Sequence, residues 1–212
     1  MAFFHYEKNV KDIEYYEILE NLMERWEYET VEFKEAKSNY DTDKIGRYFS
    51  ALSNEANLKQ QQYGWLIFGV SERDKIKHVV GTAYKQGEQS LLEKFKYEIS
   101  RDITNGMTFY EIKEIFPIVN GKRLRVLMFK VPAAATGIPT DWRTNYYERS
   151  GESLVPLKQY KIDAIRSQER KDWSKQVIEV ATIDNLDKTA INLAREKYKE
   201  KMNQEHISKE VD

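Results

Sequence analysis

An uninterrupted apolar stretch, Tyr63–Val70, lies in a chain in which 33% of the residues are charged. It is rich in aromatic and β-branched side chains, which favour a strand over a helix, and it is too short to span a membrane. Its large side chains alternate between two sides, with Trp65 and Ile67 on one and Leu66, Phe68 and Val70 on the other. Both faces are therefore apolar, and the pattern predicts a central strand that is covered on both faces.

A helix, a strand and a second helix are predicted before this central strand. From about Val10 to Trp26, apolar residues recur at helical spacing, with acidic residues on the other side. The segment Glu29–Ala36 alternates, which predicts a strand with Glu32 and Lys34 together on one face. The second helix is predicted by an N-cap residue and an apolar stripe: Asp41 or Asp43, followed by Ile45, Phe49, Leu52 and Ala56.

Further strands and a helix are predicted after the central strand. The segment Lys75–Tyr84 is predicted to pair with the central strand through a short turn. Apolar residues at every fourth position predict a helix over Gly87–Ile103. Two strands, Phe109–Val119 and Leu124–Val131, are predicted to join at Asn120-Gly121, a pair typical of type I′ hairpin turns.

The last part of the chain is predicted to change from strand to helix. Pro117 indicates that its strand is interrupted or lies at a sheet edge. A short strand over Thr144–Arg149 and a helix over Lys158–Gln168 follow. After Trp173 an amphipathic helix is predicted, which gives way to the charged tail Lys199–Asp212.

These elements predict an α/β (α+β) fold with a mixed β-sheet of about six strands and helices packed against it. We divide the chain into an N-terminal helix over residues 1–26, a domain over residues 27–170 and a helical extension over residues 171–212. The extension ends without a packed stop, so we expect it to be a linker to a C-terminal region that the sequence does not include.

The composition excludes several kinds of chemistry. The chain has no cysteine, so disulfides, thiolate catalysis and cysteine-based zinc sites are excluded. The three histidines show no ligand spacing, so a metal would have to be held by carboxylates, which favours magnesium or manganese. The sequence has no glycine-rich phosphate-binding motif, no signal peptide and no apolar run of membrane length. We expect a cytoplasmic protein with no membrane partner.

Acidic residues near the first strand suggest a metal site. Glu27 and Glu32, with Lys34, could hold a divalent ion and position a phosphodiester. Glu72 or Asp74, after the central strand, could supply a third acid. The alternative is a solvated strand face with an ordinary ion pair of little energetic weight.

Basic residues suggest a nucleic-acid surface. Arginine beside tyrosine is typical of such surfaces, because phosphates bind the charge and exposed bases stack on the rings. Tyr146 and Tyr147 precede Arg149 in the last predicted strand, although tyrosines in such a place also serve as core packing. The candidate nucleic-acid-binding residues are Lys34, Lys37, Arg47, Arg143, Tyr147 and Arg149.

Four segments occur in an order that resembles a known family: Glu27–Lys34, Phe49–Asn54, Gly64–Val70 and Tyr147–Ser153. Together they resemble the Schlafen AlbA family of DNA-binding domains over about Glu27 to Leu157. The resemblance implies an α/β domain at the N-terminus of a larger bacterial transcriptional regulator or ATP-binding protein. In bacterial members a winged helix and an ATPase-like region commonly follow.

The same resemblance implies a second function. Animal Schlafen proteins use this fold as a metal-dependent endoribonuclease acting on tRNA, with an E-x-x-x-x-E-F-K motif that Glu27, Glu32 and Lys34 match. The aspartate that follows their central strand corresponds to Ser71, which supplies no formal charge. Glu72 is the neighbouring acid, but adjacent side chains of a strand point to opposite faces.

We therefore expect a nucleic-acid-binding module, with DNA a better candidate than RNA and no cofactor required for binding. The first alternative is an endoribonuclease that holds magnesium or manganese through Glu27, Glu32 and Glu72, with Glu27, Glu32 and Lys34 as its catalytic residues. The second alternative is a domain that forms homo-oligomers or docks onto the absent C-terminal region.

Overall fold

The structure is a computed structural model that describes residues 5, 12–24, 29–73, 76–87, 89–151, 153–168 and 187–209. The chain divides into two compact units, Met1–Arg170 and Lys171–Asp212. In the described residues the helices are α1 (Ile13–Glu24), α2 (Thr42–Leu58), α3 (Gln89–Arg101), α4 (Gln159–Arg166) and α5 (Lys188–Lys209).

The strands of the described residues all lie in the first unit. They are β1 (Val31–Lys34), β2 (Tyr63–Phe68), β3 (Val70–Arg73), β4 (Ile76–Val79), β5 (Glu111–Ile115), β6 (Ile118–Val119), β7 (Lys122–Arg123), β8 (Val126–Pro132), β9 (Asp141–Trp142), β10 (Asn145–Ser150) and β11 (Ser153–Pro156).

The main sheet in this part of the chain has the strand order β1-β2-β8-β5. β1 runs parallel to β2, and the other neighbours run antiparallel, so the sheet is mixed. β11, β10 and β9 form a second sheet, while β3 pairs with β4 and β6 with β7. The predicted α/β fold class is confirmed.

The central strand β2 is covered on both faces, as predicted. On one face, Leu66 and Phe68 pack with the apolar side chains of α2 and α3. On the other, Trp65 and Ile67 pack with α1, whose Leu19 is fully buried. Two apolar layers therefore enclose the sheet, and α1 covers one of them.

Gly69 ends the central strand and reverses the alternation of side chains. Its φ of 95° is a left-handed conformation that glycine adopts without strain, and a Cβ there would lie 2.8 Å from the carbonyl oxygen of Arg125. Val70 consequently packs with Ile67 on the α1 side of the sheet, and not with Phe68. The predicted side for Val70 is wrong for this reason.

The strand predicted over Lys75–Tyr84 pairs differently from the prediction. Its described part, β4, pairs with β3, so that Val79 lies opposite Val70. β3 begins directly after Gly69, and the prediction of a pairing with the central strand is therefore wrong. The glycine separates one apolar run into two strands.

The hairpin after α3 agrees with the prediction. Asn120 and Gly121 have φ values of 50° and 74°, which a type I′ turn requires, and they join β6 to β7. Pro117 lies between β5 and β6, and β5 is at the edge of the main sheet. The predicted interruption and edge position are both confirmed.

The helix of the second unit is longer than predicted. α5 extends over Lys188–Lys209, through part of the segment that the sequence pattern assigns to a charged tail. Lysine and glutamate are good helix formers, and Lys197 and Glu200 form an ion pair at 2.9 Å on this helix. In the described ranges, no helix is long and apolar enough to cross a membrane.

Gly46 on α2 provides a test of the packing around the candidate site. A Cβ at Gly46 would lie 2.2 Å from Cδ2 of Trp142, a side chain that is 1% exposed and donates a hydrogen bond to Asp43. We expect Gly46→Ala to lower the free energy of unfolding by about 1–2 kcal/mol in urea denaturation, because overpacking this severe costs about 2–3 kcal/mol and helix propensity offsets about 1 kcal/mol. Lys44→Ala, at an exposed position of the same helix, should change it by less than about 0.5 kcal/mol. Equal stability of the two variants would contradict this packing.

Candidate nucleic-acid interface

Helix α2 fixes the position of β10 through buried polar side chains. Asn54 Nδ2 donates to the carbonyl oxygen of Thr140 at 2.8 Å, and Asn54 Oδ1 accepts from the Thr140 backbone N–H at 2.8 Å. Ser53 and Thr140 share a hydrogen bond between their hydroxyls at 2.8 Å. Ser50 Oγ donates to Thr140 and accepts from the backbone N–H of Tyr147. Because these groups are buried, their hydrogen bonds determine which residue of β10 faces the helix.

Glu32 brings the first strand and β10 together. Its side chain is 4% exposed and lies between two cations, with Lys34 Nζ at 2.6 Å and Arg149 Nε at 2.5 Å. Arg149 also donates to the backbone carbonyl oxygens of Val31 and Gly151. The alternative of a solvated strand face is wrong for Glu32, since this carboxylate is buried and shared by two cations.

Lys34 remains a cation in this arrangement. Burial by itself would lower the pKa of the Lys34 ammonium, but the charge of Glu32 and the nearby hydroxyl of Tyr48 outweigh it and raise that pKa. The ammonium nitrogen also lies 5.2 Å from the centre of the Tyr48 ring, which is within cation–π distance.

A second group of predicted residues meets at the start of α2. The Arg47 guanidinium lies 5.5 Å from the centre of the Tyr147 ring and forms an ion pair with Asp43 at 2.5 Å. Arg143 reaches the same Asp43 at 3.4 Å and forms a shorter contact of 2.9 Å with Asp102. A hydrogen bond from Trp142 is the main cause that lowers the pKa of the Asp43 carboxyl.

Five of the predicted residues therefore lie around the two acids Glu32 and Asp43, and we call this set the basic rim: Lys34, Arg47, Arg143, Tyr147 and Arg149. Tyr147 and Arg149 are two apart in β10, so their side chains lie on the same face of that strand. Lys37 lies three residues beyond β1, is 81% exposed and is 3.7 Å from Glu35. No described contact joins Lys37 to the basic rim.

The predicted metal ligands are not brought together in the described residues. Glu32 is held by Lys34 and Arg149, whereas Glu72 is exposed and lies opposite Lys77 in the β3–β4 hairpin. The strand is regular at this point, so Glu72 points away from the face of Ser71. Glu27 and Asp74 lie outside the described residues. Within the described ranges no group of three possible ligands exists, and the metal site stays a prediction.

A buried ion-pair cluster beside the basic rim is missing from the sequence predictions. Lys161 of α4 contacts the carboxylates of Glu55 on α2 and Glu148 on β10, the latter at 3.0 Å. Both glutamates are 1% exposed. The available signal is the position of Glu55 beside Leu52 and Ala56 of the apolar stripe predicted for this helix, since a charge there needs a partner.

One ammonium in this cluster serves two carboxylates. Burial disfavours the charge of Lys161, but hydrogen bonds to Glu55 and Glu148 outweigh it and raise the pKa of Lys161 to about 12. Burial raises the pKa of the Glu55 carboxyl, because a single cation does not fully compensate two buried anions. The cluster joins α4 to α2 and β10.

Comparisons with known proteins bear on this domain. The sequence model of the family described as Schlafen, AlbA_2 matches residues 27–158, which is more than half of the chain. The crystal structure of the DIP2311 protein from Corynebacterium diphtheriae is 23% identical, and the match covers 79% of this chain and 29% of that one with a TM-score of 0.45. The chain thus spans less than a third of the length of that protein. No curated protein matches the chain.

The fold is a mixed α/β domain that presents a basic and aromatic rim. The chain belongs to the Schlafen AlbA_2 family, which confirms the resemblance inferred from the four ordered segments. Membership of this family indicates a function related to nucleic acids.

The buried cluster yields a prediction about stability and pH. We expect Lys161→Met to lower the free energy of unfolding by about 3–5 kcal/mol near neutral pH, because it leaves buried carboxylates without their cation. The folded variant should then bind a proton on the carboxyl pair more readily than the unfolded chain does. Its stability deficit should therefore shrink as the pH falls from about 7.5 to about 5.

Urea denaturation at both pH values measures this effect. Lys158→Met is the matched control, because its ammonium is 60% exposed and lies 3.9 Å from Glu148. The control should cost less than about 1 kcal/mol at either pH. If the loss of unfolding free energy in Lys161→Met does not change with pH, Lys161 does not compensate the buried carboxylates of Glu55 and Glu148.

Proposed function

We propose that this domain is a nucleic-acid-binding module, with DNA as its preferred partner, in a larger bacterial transcriptional regulator. The observation that carries the proposal is that, in the basic rim, two cations contact the same carboxylate. Glu32 lies between Lys34 and Arg149, and Asp43 lies between Arg47 and Arg143. The four cations of the basic rim face three acids, because Arg143 also contacts Asp102, and this leaves positive charge to bind phosphates.

Aromatic rings support the same proposal. Tyr48 lies beneath Lys34, and Tyr147 lies beside Arg47, so rings and cations alternate across the rim. Phosphates would bind to the cations, and a base would stack on the partly exposed ring of Tyr147. Tyr48 is 7% exposed, so its ring supports Lys34 from the core and does not contact a base. Family membership and the order of the four segments add to this support.

Binding through phosphates predicts a weak dependence on sequence and a strong dependence on salt. We expect Arg47→Ala to weaken binding to DNA of unrelated sequences by a similar factor and to reduce the slope of log affinity against log salt by about 1. Asp43 keeps its contacts with Trp142 and Arg143 in this variant, so the fold should be intact.

Fluorescence anisotropy across a range of salt concentrations measures both quantities. Arg123→Ala is the matched control, since Arg123 is also an exposed arginine but lies at the β6–β7 hairpin. Its affinity and salt slope should equal those of the parent. If Arg47→Ala behaves like this control, or if the parent binds no nucleic acid at low salt, the proposal is wrong.

The proposed module binds nucleic acid without cutting it. Glu32, which would have to be a metal ligand in the alternative, is engaged by two cations at 2.6 Å and 2.5 Å. We therefore expect no cleavage of tRNA during incubation with manganese, for either the parent or Glu32→Ala, as followed on a denaturing gel. Cleavage by the parent that Glu32→Ala abolishes would instead establish the endoribonuclease alternative.

A further inference from the structure

A cleft of about 370 Å³ lies beside the basic rim, between the end of α2, the end of β10 and α4. We call it the α4 cleft, and its polar lining includes Lys59, Glu148, Arg149, Lys158, Tyr160 and Lys161. Its volume lies within the range of about 300–1,000 Å³ that is typical of sites for small molecules. Because Arg149 belongs to both, the basic rim and the α4 cleft are continuous.

The outer edge of the α4 cleft carries groups that suit a phosphate and an aromatic base. The side chain of Lys158 is 60% exposed and its ammonium lies 3.9 Å from Glu148, so it can reach a phosphate. Lys59 is 39% exposed, and its ammonium is paired with Glu29 of the cleft lining at 2.6 Å. Tyr160 is 64% exposed, which leaves its ring accessible for stacking. Stacking of a base on a tyrosine tolerates every base, because every base has a π-face.

The floor of the α4 cleft supplies a hydrogen-bond acceptor. Glu148 is 1% exposed, and its Oε2 accepts from the Lys161 ammonium at 3.0 Å. An ionised carboxylate has about four lone-pair sites, so Glu148 retains capacity to accept from a ligand. A ligand that offers N–H groups to a carboxylate matches this floor.

We propose that the α4 cleft receives one unpaired nucleotide of the bound strand. Its phosphate would bind Lys158, its base would stack on Tyr160, and the N–H groups of the base would reach Glu148. A base within a duplex is stacked and paired, so neither its face nor those N–H groups are available to a cleft. This inference rests on the proposed function, because the basic rim must first hold the strand.

Binding of labelled DNA to the full chain tests the inference by fluorescence anisotropy. The probes are deoxycytidine and thymidine homopolymers of equal length and a blunt-ended duplex. We expect both homopolymers to bind more tightly than the duplex. Cytosine should bind more tightly than thymine, because its N4 amino group donates to a carboxylate without hindrance. The single N3–H of thymine lies between two carbonyl oxygens that a carboxylate repels.

Two variants separate stacking from base contact. Tyr160→Ala should weaken binding to both homopolymers by about five- to one-hundred-fold, and should affect them more than the duplex. Tyr97→Ala, which removes a 72% exposed tyrosine from α3, is the control and should change nothing. Glu148→Gln should remove the preference for cytosine over thymine, because an amide can also donate to thymine. If Glu148 had only a structural role, the variant would keep this preference.

The outcomes distinguish this inference from the proposed function. If the parent binds strands and duplex equally and Tyr160→Ala behaves like Tyr97→Ala, the α4 cleft is only a structural ion-pair cluster, while the proposed function stands. If the parent binds none of the probes at low salt, the proposed function fails and the inference fails with it. Tyr160 is 64% exposed and takes part in none of the described ion pairs, so Tyr160→Ala remains decisive even if Glu148→Gln does not fold.

Discussion

The carboxylate of Glu32 is the group on which the arrangement of the basic rim depends. It is almost fully buried, and a buried carboxylate is stable only when it is well paired. Lys34 on the same strand and Arg149 on β10 meet that condition. Conversely, these two cations could not lie beside one another without an anion between them, because like charges at this range repel. The position of the positive charge is thus set by a buried group rather than by mobile surface side chains.

Helix α2 makes that pairing possible because it combines an apolar and a polar role. Its apolar residues, such as Phe49, cover one face of the central strand. Its buried Asn54 holds the backbone of Thr140, and its buried Ser50 accepts from the backbone N–H of Tyr147, which fixes β10 against the helix. The absence of a side chain on Gly46 lets the Trp142 ring pack on the same helix. One helix therefore positions both the sheet that carries Glu32 and the strand that carries Arg149.

The sequence predicts elements with regular periodicity and fails where a single residue changes it. The helical stripes and the Asn120-Gly121 turn are strong local signals, and the structure has them. The apolar run Tyr63–Val70 predicts a single strand, but the left-handed conformation of Gly69 reverses the side of Val70 and starts a new hairpin. Spacing could suggest that Glu32 and Arg149 share a rim, yet it could not show that one neutralises the other. Such long-range pairs depend on the packing of α2, which no local pattern encodes.

The side chains of strand β10 alternate between two neighbouring chemical environments, the basic rim and the Lys161 ion-pair cluster, which meet at Arg149. Tyr147 and Arg149 point toward the basic rim, whereas Glu148 points toward Lys161 and α4. Because of the same alternation, the buried Glu148 faces Lys161, and Glu32 is the buried acid that offsets charge of the basic rim.

Both environments are ordered by buried ion pairs, so the entropy of fixing these long side chains is lost during folding and not during binding. Preorganisation of this kind favours affinity without further contact area. The burial of acidic side chains also explains how a chain with a net charge of −1 can present a local basic surface. The sign of a surface depends on which charges are buried and not on the total charge of the chain.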